Sequence, residues 1–216
     1  MSRSIGLLSW LLLSALAVHG AVPAKPAPVL MVFGDSLSAG YGLGPGQGWV
    51  DLLGARLASE GYEFRLVNAS VSGETTAGGL ARLPRALEIH RPAIVVLELG
   101  ANDGLRGLAP DATRENLERM VRLLKARQAR VLLVGIHLPP NYGTRYTAAF
   151  TALFGAIAAR ERVPLVPSLL DGVATQRALM QADNLHPNER AQPRLLENVW
   201  PQLRALLRGA PPRRSG

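Results

Sequence analysis

The chain has 216 residues, 48% of them hydrophobic and 19% charged; that suits about one domain with a sizeable core and excludes a disordered protein. It contains no Cys, which excludes disulfides, a thiolate nucleophile and most structural zinc sites. Lys and Arg number 24 against 16 acidic residues, a net charge of +8, yet no nucleic-acid motif accompanies them, so nucleic-acid binding is excluded as well.

The N-terminus reads first as an export leader. Arg3 precedes an apolar run from Ile5 to Val18, followed by small residues. The run is shorter than the roughly 20 residues a spanning helix needs. Residues 1–21 are therefore expected to be a signal peptide, with cleavage after Ala17 or between His19 and Val22; an uncleaved anchor is the alternative. The destination is the periplasm or the exterior. Residues 22–28, rich in Pro, form an extended lead-in; 29–208 form the domain; 209–216 form a disordered tail.

From residue 29 onward, apolar runs alternate with helical patterns. Strands are expected over 29–34, 64–69, 93–99, 131–136 and 165–166. Several are continuous in Val, Ile and Leu, as in strands covered on both faces. Helices are expected over 48–60, 76–90, 111–129, 145–161 and 189–207. In the third, Leu117, Met120, Val121 and Leu124 form one apolar stripe. Gly61 and Pro92 are stop signals. The expected fold is α/β, a five-stranded parallel sheet between two helical layers. The Arg residues are scattered along these helices, so the surface reads as basic and solvated, with transient contact with anionic membrane lipid.

Ligand sites of such sheets lie beyond the carboxyl ends of the strands, where four short motifs fall. Ser36, in Gly34-Asp35-Ser36-Leu37, follows the first strand. A Ser hydroxyl needs a neighbouring base before it can attack; alone, this Ser is equally a turn cap. Gly73 follows the second strand and offers a backbone N–H. Asn102, in Gly100-Ala101-Asn102-Asp103, follows the third and offers a side-chain amide; each is also an ordinary turn residue.

His186 is the leading base among four His residues. His19 lies in the leader, His90 closes a helix, and His137 at the end of the fourth strand is a packed or loop His. Asp183 precedes His186 by three residues, so its carboxylate can reach the imidazole and fix the tautomer. An Asp-initiated turn is the plainer alternative. The glycine-rich run 40–48 fits neither a dinucleotide fingerprint nor a P-loop and reads as a loop beside Ser36. No metal-ligand spacing appears, and no cofactor is expected.

With these residues in hand, the chain resembles the SGNH (GDSL) hydrolases, named for Ser, Gly, Asn and His in separate blocks. The resemblance spans residues 29–207. The Leu138-Pro139-Pro140-Asn141-Tyr142-Gly143 and Leu80-Ala81-Arg82-Leu83-Pro84 segments look like the exported bacterial thioesterase I group, which also acts on lysophospholipids and aryl esters. The resemblance implies a flavodoxin-like three-layer fold and a Ser36–His186–Asp183 triad. It also implies an oxyanion hole of Ser36, Gly73 and Asn102, and an acyl groove shaped by Leu105 and Tyr142. Relatives usually carry Gly where this chain has Asn184, which tolerates left-handed backbone better than other residues. The expected activity is hydrolysis of acyl esters and thioesters by a monomer. The alternatives are a carbohydrate or peptidoglycan O-acetyl esterase on the same fold, and a non-catalytic lipid- or nucleotide-binding module.

Overall fold

The computed structural model describes residues 26–208. The expected leader, most of the lead-in and the tail lie outside the described residues. Five strands form the sheet: β1 (Val29–Gly34), β2 (Arg65–Asn68), β3 (Ile94–Glu98), β4 (Arg130–Val134) and β5 (Leu165–Val166). All pairings are parallel, in the order β2-β1-β3-β4-β5. Every residue of β1 and β3 is buried, which is why β1 and the Ile94–Leu97 part of β3 read as continuous apolar runs rather than alternating ones.

The helices are α1 (Ser36–Ala39), α2 (Trp49–Ser59), α3 (Thr76–His90), α4 (Ala101–Leu105), α5 (Pro110–Ala126), α6 (Thr144–Glu161) and α7 (Gln192–Arg208). Helices α3, α5 and α6 pack side by side, as α2 and α7 do, giving a helical layer on each face of the sheet. The stripe of α5 is buried in full at Leu117, Met120, Val121 and Leu124. Helix α7 buries Leu195, Val199, Trp200 and Leu203. Each Leu removed from water in this way contributes about 1.5–3 kcal/mol.

Two short helices, α1 and α4, depart from the expected pattern by starting immediately after β1 and β3. Four or five residues are too few to show a helical period. The expected helix over 189–207 divides into a 3-10 turn, Glu189–Ala191, and α7. Strand β4 stops at Val134, two residues early, although Gly135 still donates to Val166 O of β5 and accepts from Leu169 N–H.

The strand order positions the site. From β1 the chain crosses outward to β2, then returns to β3 on the other flank of β1. The loops leaving β1 and β3 therefore diverge and open a crevice at the carboxyl ends of these strands. Ser36 and Asn102 sit on its two sides.

Candidate active site

The turn carrying Ser36 is tightly determined. Asp35 caps α1, its carboxylate accepting the Leu37 N–H at 3.0 Å. Gly34 lies opposite Glu98 in the sheet register, and a Cβ at Gly34 would lie 2.5 Å from Glu98 Oε2. Only glycine fits there. Ser36 is left half-buried at the start of α1, with its hydroxyl turned toward the loop before α7.

That loop is held by its own backbone. Gln181 N–H donates to His186 O at 2.7 Å, and Met180 pairs with Pro187 in an antiparallel bridge. Asn184 takes φ = +55° between Asp183 and His186, the left-handed conformation that Asn tolerates. The turn brings Asp183 Oδ2 to 2.6 Å from His186 Nδ1, and His186 Nε2 lies 2.9 Å from Ser36 Oγ. Asp183 Oδ1 accepts the Leu185 and His186 N–H groups at 2.9 and 3.0 Å. Burial opposes ionisation of Asp183, but the His186 ring and these two N–H groups outweigh it and hold its pKa at about 2. An anionic Asp183 thus fixes the imidazole with Nε2 aimed at Ser36. The Tyr41 ring packs on His186 with centroids 4.5 Å apart.

Asn102, in α4, lines one cavity with Ser36 and His186; Gly73, in the loop after β2, does not line it and adjoins the site through Glu74, whose carbonyl accepts from Asn102. Gly73 has φ = +78°; its carbonyl accepts from Arg106 Nη2 at 3.0 Å. Its N–H and that of Ser36 have no acceptor among the described residues. Asn102 Nδ2 donates to Glu74 O at 3.0 Å and to Asp35 Oδ2 at 3.3 Å. Buried Asp103 ties the two loops together by accepting from Thr76 N at 2.8 Å and Thr76 Oγ1 at 2.5 Å.

Beside Ser36 lies a cavity of about 660 Å³, lined by Leu105, Ile136, Leu138, Leu170, Met180 and Leu185 among others. Leu105 and His137 both border it, His137 as an exposed residue between buried Ile136 and Leu138 in the loop after β4. Tyr142 does not. It faces a neighbouring depression with Thr144, Arg145 and Tyr146, and its hydroxyl donates to Leu105 O at 2.9 Å. Sequence reasoning missed Leu138, Leu170 and Met180, which reach the cavity from loops distant in the chain. It also missed the buried carboxyl groups of Asp35 and Glu98. The one signal for Glu98 is a charged residue inside an apolar strand. Among the described residues no group of three or more His, Cys, Asp or Glu side chains could hold a metal ion, and no helix is long and apolar enough to cross a membrane.

Comparison with known proteins adds an independent observation. A family model described as "GDSL-like Lipase/Acylhydrolase family" matches residues 32–193. "Esterase TesA" of Pseudomonas aeruginosa is 55% identical over 197 residues, covering 91% of this chain and 98% of that protein. "Thioesterase 1/protease 1/lysophospholipase L1" of Escherichia coli strain K12 is 42% identical over 184 residues, covering 85% and 87%. A crystal structure of TesA superposes with a TM-score of 0.81 at 58% identity, covering 82% of this chain and 99% of that one.

Proposed function

This chain belongs to the GDSL-like lipase/acylhydrolase family and is a carboxylic ester hydrolase, and we propose that it cleaves acyl esters and thioesters through a Ser36–His186–Asp183 triad. The observation that carries the reading is the unbroken chain of contacts, 2.6 Å from Asp183 to His186 and 2.9 Å from His186 to Ser36. It ends at the mouth of an apolar cavity.

In this mechanism Ser36 Oγ attacks the acyl carbonyl carbon while His186 Nε2 takes its proton. The carbonyl oxygen becomes an oxyanion held by the N–H groups of Ser36 and Gly73 and by the Asn102 amide. Collapse expels the alcohol or thiol, which leaves with the proton from His186, and the acyl group remains on Ser36. Water then attacks the acyl-enzyme with His186 as base, the proton passes to Ser36 Oγ, and the carboxylic acid departs. Asp183 stays ionised and stabilises the imidazolium.

The acyl chain lies along Leu138, Leu170 and Met180, with Leu105 at the side. No Trp, Tyr or Phe lines the cavity among the described residues, which favours a fatty acyl group over a sugar ester. Lysophospholipids and aryl esters present the same carbonyl. The reading also takes residues 1–21 as an export leader, places the mature monomer in the periplasm or outside the cell, and has its basic surface touch anionic lipid in passing.

The test is a chain-length series of p-nitrophenyl esters and acyl thioesters with the mature protein and Ser36→Ala. Hydrolysis and fluorophosphonate labelling are expected from the wild type alone. Activity in folded Ser36→Ala would overturn the triad; a wild type that resists labelling would point instead to a non-catalytic lipid-binding module. Preference for acetylated sugars would favour the O-acetyl esterase reading.

A further inference from the structure

The carboxyl group of Glu98 has no part in the mechanism above, yet it is buried directly beneath the turn that bears Ser36. It closes β3, and its Oε2 accepts from Ser38 Oγ at 2.7 Å and, more weakly, from Asp35 N–H at 3.4 Å. These two donors flank Ser36, one on each side in sequence. Gly34 makes room for it, since any larger residue would collide with the same oxygen. A buried carboxyl group in a strand is costly unless it is neutral or paired.

We propose that Glu98 is a positioning residue for the nucleophile: its Oε2 pins Asp35 and Ser38 from below and so sets the Ser36 Oγ to His186 Nε2 distance. The proposal rests on Ser36 being the nucleophile. A displacement of about 1 Å between reacting groups can cost a hundred-fold in rate, so the turn needs a support that the four-residue helix α1 does not supply by itself.

Charge reinforces the geometry. Among the described residues neither Asp35 nor Glu98 is in an ion pair, and besides Glu98 the acids Asp103 and Glu74 act on Asp35, each raising its pKa. Glu74 already pairs with Arg82 at 2.5 Å, and Asp103 is bonded to Thr76 and Thr113. Burial and the facing Asp35 charge raise the Glu98 pKa well above the usual range. Glu98 is therefore the neutral member of the pair, and Asp35, with Leu37 N–H and the Asn102 amide donating to it, carries the charge first. A second charge, formed as pH rises through the raised Glu98 pKa, would drive the two carboxylates apart and deform the turn between them.

The experiment compares Glu98→Gln, Glu98→Ala and Ser38→Ala in the mature protein, with p-nitrophenyl acetate as substrate and fluorophosphonate labelling of Ser36 as a second rate. Glu98→Gln keeps an uncharged acceptor and should hold kcat within about 3-fold at neutral pH, whereas Glu98→Ala should lose about 30-fold or more with KM within about 3-fold. The wild type should also lose kcat as rising pH ionises Glu98, a loss that Glu98→Gln should lack. The proposal is overturned if Glu98→Ala keeps wild-type kcat, if Glu98→Gln is as damaged as Glu98→Ala, or if kcat of the wild type and of Glu98→Gln responds alike as pH rises. Should Glu98→Ala not fold, Ser38→Ala decides: slower labelling by about 3-fold or more supports the role, and an unchanged rate removes it. Activity surviving in Ser36→Ala would instead sink the nucleophile assignment, an outcome these variants do not mimic.

Discussion

Asn102 Nδ2 donates to Asp35 Oδ2 at 3.3 Å, joining the residue before the proposed nucleophile to the side chain proposed to receive the oxyanion. Its other hydrogen goes to Glu74 O at 3.0 Å. In the resting enzyme both amide hydrogens are occupied, and the longer bond is the one an oxyanion would displace. Asn102→Ala removes this donor, and turnover should fall about a hundred-fold to a thousand-fold with little change in KM. A KM effect without a kcat effect would contradict the role.

Asp183 gives a pH dependence of known sign. Its pKa is about 2 in the folded chain against an ordinary 3.8. A depressed carboxyl pKa contributes stability that is present above the unfolded value and is lost as pH falls through the folded one. Thermal melts should show wild-type stability dropping as pH falls from about 4 to about 2, with a shallower drop in Asp183→Asn. Equal slopes would show that the His186 contact does not stabilise the folded chain. In the same variant kcat should fall by about ten-thousand-fold, because the imidazole loses its fixed tautomer.

Asp35 acts in the opposite sense. Burial lifts its pKa from 3.8 to about 7. Between those values the folded chain holds the proton that the unfolded chain has released, so stability is full below the lower value and declines as pH rises to the upper one. Urea midpoints should fall across this window in the wild type and stay flatter in Asp35→Asn, which keeps a side-chain oxygen for the Leu37 N–H. A wild-type curve that climbs with pH over the window would refute the assignment.

Two glycines should respond differently to alanine. At Gly73 an added Cβ meets nothing within 4 Å, and only the left-handed φ of +78° is strained, at a cost of about 1–2 kcal/mol. At Gly34 the Cβ would meet Glu98 Oε2 at 2.5 Å and Glu98 O at 2.9 Å. Gly34→Ala should therefore lower the urea midpoint more than Gly73→Ala does. The reverse order would mean that the turn under Ser36 is looser than its contacts indicate.

The sheet was legible because β1, Ile94–Leu97 of β3 and Val131–Val134 of β4 are continuous apolar runs buried on both faces. The site motifs were legible for a topological reason: each follows a strand or precedes the last helix, and a parallel sheet gathers such ends at one edge. The Asp183-to-His186 contact could be anticipated since three residues of chain suffice to close it. Of the apolar cavity, the family resemblance gave Leu105 but not the rest of the wall. Leu138, Leu170 and Met180 meet Leu105 of α4 from segments outside the strands and α-helices that carry no periodicity, so nothing in their local sequence pairs them. Tyr142 was expected in the groove, yet its hydroxyl is directed to Leu105 O, and it acts on the cavity wall from behind. Helices α1 and α4 were hidden by their brevity.

The Asp183–His186 pair is closed within a single turn, whereas Ser36 meets it from 150 residues away. The proposed base and its orienting acid therefore travel as one preassembled piece, and only one joint of the proposed triad depends on how the loop before α7 is seated against the sheet. Partial loosening of that seating would leave the imidazole correctly oriented but out of reach of the hydroxyl. Heat inactivation should accordingly run ahead of global unfolding, with esterase activity serving as a gauge of one interface.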